Sequence, residues 1–231
     1  VCLAWATEAL EKGIVSKEET IVDLKWGNWE SYSEALEYLV EQPNEFYSAL
    51  ARGVEYASGI YGGREFALAF GGLEMAGYHT GPAYYFGISV GCRHSHLDMA
   101  GYSIDQKTAG KRVEPRELAE RGIREEEWRQ VLSSLVVCFF ARGVYRPEVV
   151  SRALKPLGIE LDPGELAKLG REIHRSKYKF KVEEGFRLED LRIPERVLET
   201  PSLHGRISKG VLEEMFAVFK EEVERELEEP S

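Results

Sequence analysis

Apolar residues in this chain recur at helical spacing in segment after segment, interrupted by one glycine- and aromatic-rich stretch, Gly71 to Tyr102, that keeps no period. A period near 3.6 residues commits a segment to a helix with one buried face, so the pattern calls for a multihelical core. Leu3, Ala6, Thr7 and Leu10 share a face in a helix that stops at Gly13. Ser16-Lys17-Glu18-Glu19 has the capping-box pattern of a second, short helix. Tyr32, Ala35, Leu36 and Leu39 align in a helix over 31–40, and Leu50, Val54 and Ala57 in one over 46–58. Glycines over 59–63 break the pattern, and 65–70 alternates weakly enough for one short strand. The period returns at Arg124, where Trp128, Val131, Leu132, Leu135 and Phe139 line one face of a helix predicted over 125–142. Pro147 opens a helix to about Leu157, and Asp162-Pro163-Gly164-Glu165 caps another to about Tyr178. A charged loop over 184–201 precedes a last amphipathic helix, Val211 to Leu227, and a frayed acidic tail. The fold class expected is all-α, with at most a strand or two.

Charge and composition narrow the function classes. A net charge of -10 argues against non-specific nucleic-acid binding, which needs a basic field, and against anionic membrane surfaces. No apolar run approaches the ~20 residues of a membrane helix. Cys2, Cys92 and Cys138 are too few and too scattered for a disulfide framework, so a reducing, cytoplasmic compartment is expected. The first residue is Val1 rather than Met, and the chain opens straight into a helical pattern, which reads as a cut rather than a natural start.

Few residues offer chemistry. His79, His94 and His96 share the irregular stretch with Cys92, a nitrogen and sulfur set that suits zinc if the segment is extended; the alternative is that these histidines are hydrogen-bonded or solvated. Cys138 lies in the most apolar run of the chain and reads on its own as a buried structural thiol, as does Cys2. Glu74 suits a base or a pterin acceptor, or else an arginine partner or a cap on a backbone amide. The run Glu125-Glu126-Glu127 and the acidic stretch from Glu221 to Glu229 read as helix-end charge and solvated faces.

Several segments, taken in order, resemble the C-terminal part of the aldehyde ferredoxin oxidoreductase family. Ala4 to Gly13 followed by Ser16 to Thr20 is similar to its helix and turn after the first pterin motif, and Leu24-Lys25-Trp26-Gly27-Asn28 to its Leu-x-Trp-Gly-Asp/Asn element. Gly72-Leu73-Glu74-Met75-Ala76-Gly77-Tyr78 resembles Gly-Leu-Glu-Met-Pro-x-Tyr, and His96-Leu97 falls where the family has Cys-His-Leu. Ser133 to Cys138 falls on the second pterin motif, Asp-x-x-Gly-Leu-Cys. Glu165 to Gly185 resembles the family's late helix and its Phe-Asn-x-Arg-Glu-Gly turn, and Pro194-Glu195-Arg196 follows at the place the resemblance implies.

The resemblance implies the end of a second helical domain over 1–64 and a third helical domain over 65–231. Together they would cover a β-rich N-terminal domain that is absent from this chain. It implies a tungsten or molybdenum bis-pterin, a 4Fe-4S cluster, ferredoxin as electron partner and an aldehyde as substrate. By resemblance Cys138 is the fourth cluster ligand, Ser133, Val137 and Cys138 contact the pterin, and His96 is the histidine near the metal, a proton donor or hydrogen-bond partner. With the upstream cysteine trio missing, the isolated chain is expected to be inactive and to hold neither metal nor cluster. The sequence also departs from the family. Ser133 replaces the motif's aspartate and Val136 its glycine, Tyr78-His79-Thr80-Gly81 replaces Tyr-Asp-Pro-Arg, Ser95 precedes the histidine in place of cysteine, and Asp98 stands near where a basic residue is often found. Those departures suit an alternative, a drifted helical subunit or interaction module without cofactor.

Overall fold

The computed structural model describes residues 1–141 and 143–228, with the backbone alone at 224 and 226–228. In chain order the helices are α1 (Cys2–Glu11), α2 (Lys17–Thr20), α3 (Trp29–Glu41), α4 (Glu45–Leu50), α5 (Val54–Tyr61), α6 (Pro82–Val90), α7 (His96–Met99), α8 (Gly101–Thr108), α9 (Pro115–Ser134), α10 (Pro147–Leu154), α11 (Pro163–Glu183), α12 (Glu195–Glu199) and α13 (Lys209–Glu228). Among the described residues, strands are limited to two hairpins of two-residue strands: β1 (Ala69–Phe70) with β2 (Leu73–Glu74), and β3 (Pro201–Ser202) with β4 (Gly205–Arg206). The protein is all-α, as the periodicity requires.

The chain divides into two compact units, Val1–Gly77 with Arg192–Thr200, and Tyr78–Leu191 with Pro201–Ser231. In the first unit, α1 to α5 close over Trp5, Phe46, Tyr47, Leu50 and Val54, all nearly inaccessible. The capping box forms: Ser16 Oγ accepts the amide of Glu19, and the Glu19 carboxylate accepts the amide of Ser16. The helix expected over 46–58 is two helices, because the chain breaks at Gly53, whose φ of 103° lies in the region that favours glycine. The returning segment is tied to this unit by Arg192, which donates to Glu55 at 2.6 Å, and by Arg196, which pairs with Glu8.

The second unit is built on α6, all nine residues of which are buried. α9, α11 and α13 pack with it around Phe86, Met99, Ile123, Tyr178, Met215 and Phe219. The helix predicted over 125–142 starts earlier and stops earlier: Pro115 occupies its first turn and it ends at Ser134. Its expected last residue, Arg142, lies outside the described residues. Asp162 caps α11 in a capping box with Glu165, and α11 runs on to Glu183. No described helix is long and apolar enough to cross a membrane.

Candidate functional site

His96 begins α7 and is held by the turn before it. Ser95 Oγ accepts the amide of Leu97, while Asp98, almost wholly buried, accepts the amides of Ser95 and Arg93 and pairs with the Arg93 guanidinium. The imidazole lies 5.5 Å from the ring of Tyr78 and 6.1 Å from that of Tyr102, and those two rings stack at 4.7 Å. Burial pushes His96 below the ordinary histidine value and Arg129 adds to this, while Asp98 opposes it. The ring is therefore neutral near pH 7, with one nitrogen able to donate and one able to accept.

The other motif forms the end of α9. Val136 N–H donates to the Ser133 carbonyl at 3.1 Å and Val137 N–H to the Leu132 carbonyl at 3.4 Å. This pair of bonds is a Schellman stop, whose C′ residue is left-handed and usually glycine. Val136 occupies it with φ 56°. Glycine is the residue this place favours, and the chain keeps the backbone geometry with a β-branched residue in it. Val137 packs against the small core of Val131, Leu132, Val150 and Leu166. Because the helix stops at Ser134, the apolar run alternates: Leu135, Val137 and Phe139 pack on that core, while Val136 is 91 % and Phe140 95 % exposed, and Cys138 is exposed as well. The reading of Cys138 as a buried structural thiol is therefore corrected. Ser133 is half-buried, with its carbonyl spent on the helix stop.

Arg129 links the two segments. It is 1 % exposed, donates to Glu125 at 2.9 Å and to the Leu97 carbonyl at 2.5 Å, and lies 5.0 Å over the ring of Phe139. Its two sides therefore meet the neighbour of His96 and the neighbour of Cys138. On sequence alone Arg129 is the far end of an i,i+4 ion pair on a charged helix, and nothing marks it as buried.

The stretch from Thr80 to Tyr84 is tied to a buried carboxylate. An added Cβ on Gly81 would stand 2.6 Å from the Asp105 carboxylate, so no larger residue fits. Asp105, wholly buried on α8, accepts the Thr80 hydroxyl and the amides of Ala83 and Tyr84, capping α6 from outside its own helix. Burial holds its carboxyl above the ordinary aspartate value against those three donors. Asp105 is a second residue the sequence does not flag.

Glu74 resolves to the cap among its readings: its Oε1 accepts the amide of Val54 at 2.7 Å and the Cys2 thiol at 3.2 Å. Burial and that carboxylate raise the half-buried Cys2 thiol to about 11. Cys92, His94 and His96 do not converge. His94 Nδ1 lies 3.0 Å from the Ile88 carbonyl, His96 sits among tyrosines, and Cys92 faces Glu126 and His174.

The class defined by this fold and site is an all-α protein in which a histidine turn and the segment after a helix end, bearing Cys138, meet through a buried arginine. The chain belongs to the aldehyde ferredoxin oxidoreductase family: the family model described as aldehyde ferredoxin oxidoreductase, domains 2 & 3, matches residues 1–224. Comparison with curated proteins finds no match.

Proposed function

We propose that this chain is the domain 2 and 3 part of an aldehyde ferredoxin oxidoreductase-like enzyme, oxidising an aldehyde to a carboxylic acid with ferredoxin as acceptor. Residues 1–64 are assigned to the end of domain 2 and 65–231 to domain 3. The reading is supported above all by Arg129, which holds the backbone beside His96 and the ring beside Cys138 on one buried guanidinium.

The residues present fit the implied groups in part. An exposed thiol at a helix end, flanked by exposed Val136 and Phe140, suits a ligand offered to a cluster on another domain whose surface covers that apolar rim. A tungsten or molybdenum bis-pterin would supply the two-electron oxidation, and a 4Fe-4S cluster would carry the electrons onward. Cys138 would hold one iron, and Ser133 and Val137 would lie against the pterin. Serine is a weaker acceptor there than the family's aspartate. His96, neutral and oriented by Tyr78 and Tyr102, would hold a proton beside the substrate carbonyl.

A second reading, a helical subunit without cofactor, is favoured by Gly81, where Asp105 fills the space an arginine would need. The test is to produce the chain together with a β-rich N-terminal domain of the family, supplied with tungstate, molybdate and iron. The enzyme reading expects aldehyde-dependent dye reduction, loss of cluster iron in Cys138→Ser, and a lowered kcat at unchanged metal content in His96→Asn. A folded complex that contains no tungsten, molybdenum or cluster would overturn it in favour of the second reading.

A further inference from the structure

The core of the second unit holds a cluster that the site above does not use. Glu126 on α9 and His174 on α11 are both 0 % exposed, with Glu126 Oε2 3.3 Å from His174 Nε2. Cys92, just after α6, completes the group, and its Sγ, a Glu126 carboxylate oxygen and a His174 ring nitrogen all lie within 4.8 Å of one another. We propose that Cys92, Glu126 and His174 form a transition-metal site whose ion is Zn2+.

Three features carry this. The first is donor chemistry. One thiolate, one carboxylate and one neutral imidazole are a borderline-soft S/O/N set suited to zinc, and their two negative charges balance the dication. Around zinc, with bonds of about 2.0–2.3 Å, ligand atoms in a tetrahedron stand about 3.4–3.7 Å apart. The carboxylate and imidazole, 3.3 Å apart, are already close to that spacing, and the thiol lies within 4.8 Å of both.

The second is support around the ligands. Glu126 Oε1 accepts the amide of Cys92 at 2.8 Å, while Oε2 lies 3.3 Å from His174 Nε2. A carboxylate with one oxygen fixed by the backbone and the other presented inward is what an oriented ligand requires. The crossing of the helices does the rest. An added Cβ on Gly170 would stand 2.5 Å from the Glu127 carbonyl, so α11 can lie this close to α9 only with glycine there. His174 is one turn further along α11 and is thereby brought opposite Glu126.

The third is access. Cys92 also lines an open cleft of about 630 Å³ with His94, Lys177, Phe180, Lys181 and Phe186, which offers an entry path on the thiol side of the group. The Lys181 ammonium, which lines the same cleft, donates to the Val90 and Gly91 carbonyls at 3.3 and 2.8 Å. A thiol, a carboxylate and an imidazole together in a core are costly unless paired or coordinating. Zinc here would tie α9 and α11 to the turn after α6.

The test uses the purified protein stripped with EDTA and titrated with Co2+ and then Zn2+. One equivalent of Co2+ should produce a sulfur-to-cobalt charge-transfer band and tetrahedral visible bands, which Zn2+ abolishes by displacement. Cys92→Ser should lose the charge-transfer band, and His174→Gln should weaken binding by at least about tenfold, the loss that even an outer-shell change produces. These variants alter the core, so Cys2→Ala/Cys138→Ser, which keeps Cys92 as the one thiol, is measured as well. It should retain the band, and saturating Zn2+ should slow alkylation of Cys92 by iodoacetamide about tenfold or more, as expected for a thiolate held by metal. A folded protein that gives no sulfur-to-cobalt band would overturn the site. So would a band that disappears in Cys2→Ala/Cys138→Ser, or Cys92 alkylation unchanged by excess Zn2+.

Discussion

Arg129 donates from Nη1 to the carbonyl of Leu97 at 2.5 Å, so the guanidinium of a buried helical residue holds the backbone next to His96. The same charge lowers the affinity of the imidazole for a proton. Arg129→Met keeps most of the side-chain volume and removes the charge. Because its partner Glu125 is partly exposed, with 37 % of its side-chain surface accessible, the orphaned carboxylate can turn to water. Stability should fall by about 1–3 kcal/mol, chiefly from the unsatisfied Leu97 carbonyl. The informative readout is the His96 titration followed by NMR. With a cation removed, the protonated imidazole is less disfavoured, so its pKa should rise relative to the parent protein. An unshifted titration would show that Arg129 does not act on His96.

Val136 spends conformational energy that glycine would not. Left-handed backbone costs an L-residue about 1–2 kcal/mol, while glycine costs about 0.5–1 kcal/mol in unfolded-state entropy. The side chain is 91 % exposed, so removing it forfeits little packing. Val136→Gly should therefore stabilise the chain by about 0.5–1 kcal/mol in urea unfolding. Val136→Ala, which keeps a Cβ at the same φ, should gain clearly less than glycine. Equal gains for the two would mean that the Schellman stop is not strained.

Legibility in the sequence follows periodicity. α1, α3, α10, α11 and α13 each have an apolar stripe or a capping signal, and all are readable. α6 is not, because with nine of nine residues buried it has no polar face to create a period. The start of α9 is signalled by Pro115, but the charges from Arg116 to Glu127 dilute its stripe, and the apolar residues after Ser134 lengthen the prediction at the wrong end. The site residues are legible only where a motif carries them. His96 and Cys138 come from resemblance, whereas Arg129, Asp105 and Glu126 look like surface charge in a local window. Glu126 sits in a run of three glutamates, and only the docking of α11 decides that it is the buried one.

His94 makes the fold sensitive to mild acid. Burial, reinforced by the Lys181 ammonium, pushes its pKa below the ordinary histidine value, and its Nδ1 lies 3.0 Å from the Ile88 carbonyl. The unfolded chain then binds a proton that the folded chain refuses. Stability from this residue is present above about pH 6.5, the ordinary histidine value, and is lost as pH falls from there toward the lowered folded value, by up to about 1.4 kcal/mol per pH unit. His96, shifted the same way, adds to the slope. His94→Asn tolerates the positive φ of 53° at this position and removes the proton. Urea midpoints for this variant should decline less steeply between pH 6.5 and pH 5 than those of the parent. Parallel pH profiles would show that His94 titrates normally.

Gly170→Ala tests the crossing that brings α11 onto α9. In an unpacked helix this change stabilises by up to about 1 kcal/mol, since alanine is the better helix former. Here the new methyl would stand 2.5 Å from the backbone carbonyl of Glu127 and 3.3 Å from Val131. The carbonyl cannot rotate away without breaking its own helix, so the two helices must separate. Overpacking of this kind costs about 1–3 kcal/mol, which outweighs the propensity gain. A net loss of about 1–2 kcal/mol is expected in urea unfolding, with Gly164→Ala, at the second residue of the same helix and facing only the Asp162 cap, as the milder comparison. The two readouts separate packing from the ion pair. If the helices move apart, the 3.3 Å approach of His174 to Glu126 lengthens, and the His174 imidazole signals should shift in the folded spectrum of Gly170→Ala but not of Gly164→Ala. A Gly170→Ala protein that is as stable as its parent, with those signals in place, would mean that α11 does not depend on glycine for its contact with α9.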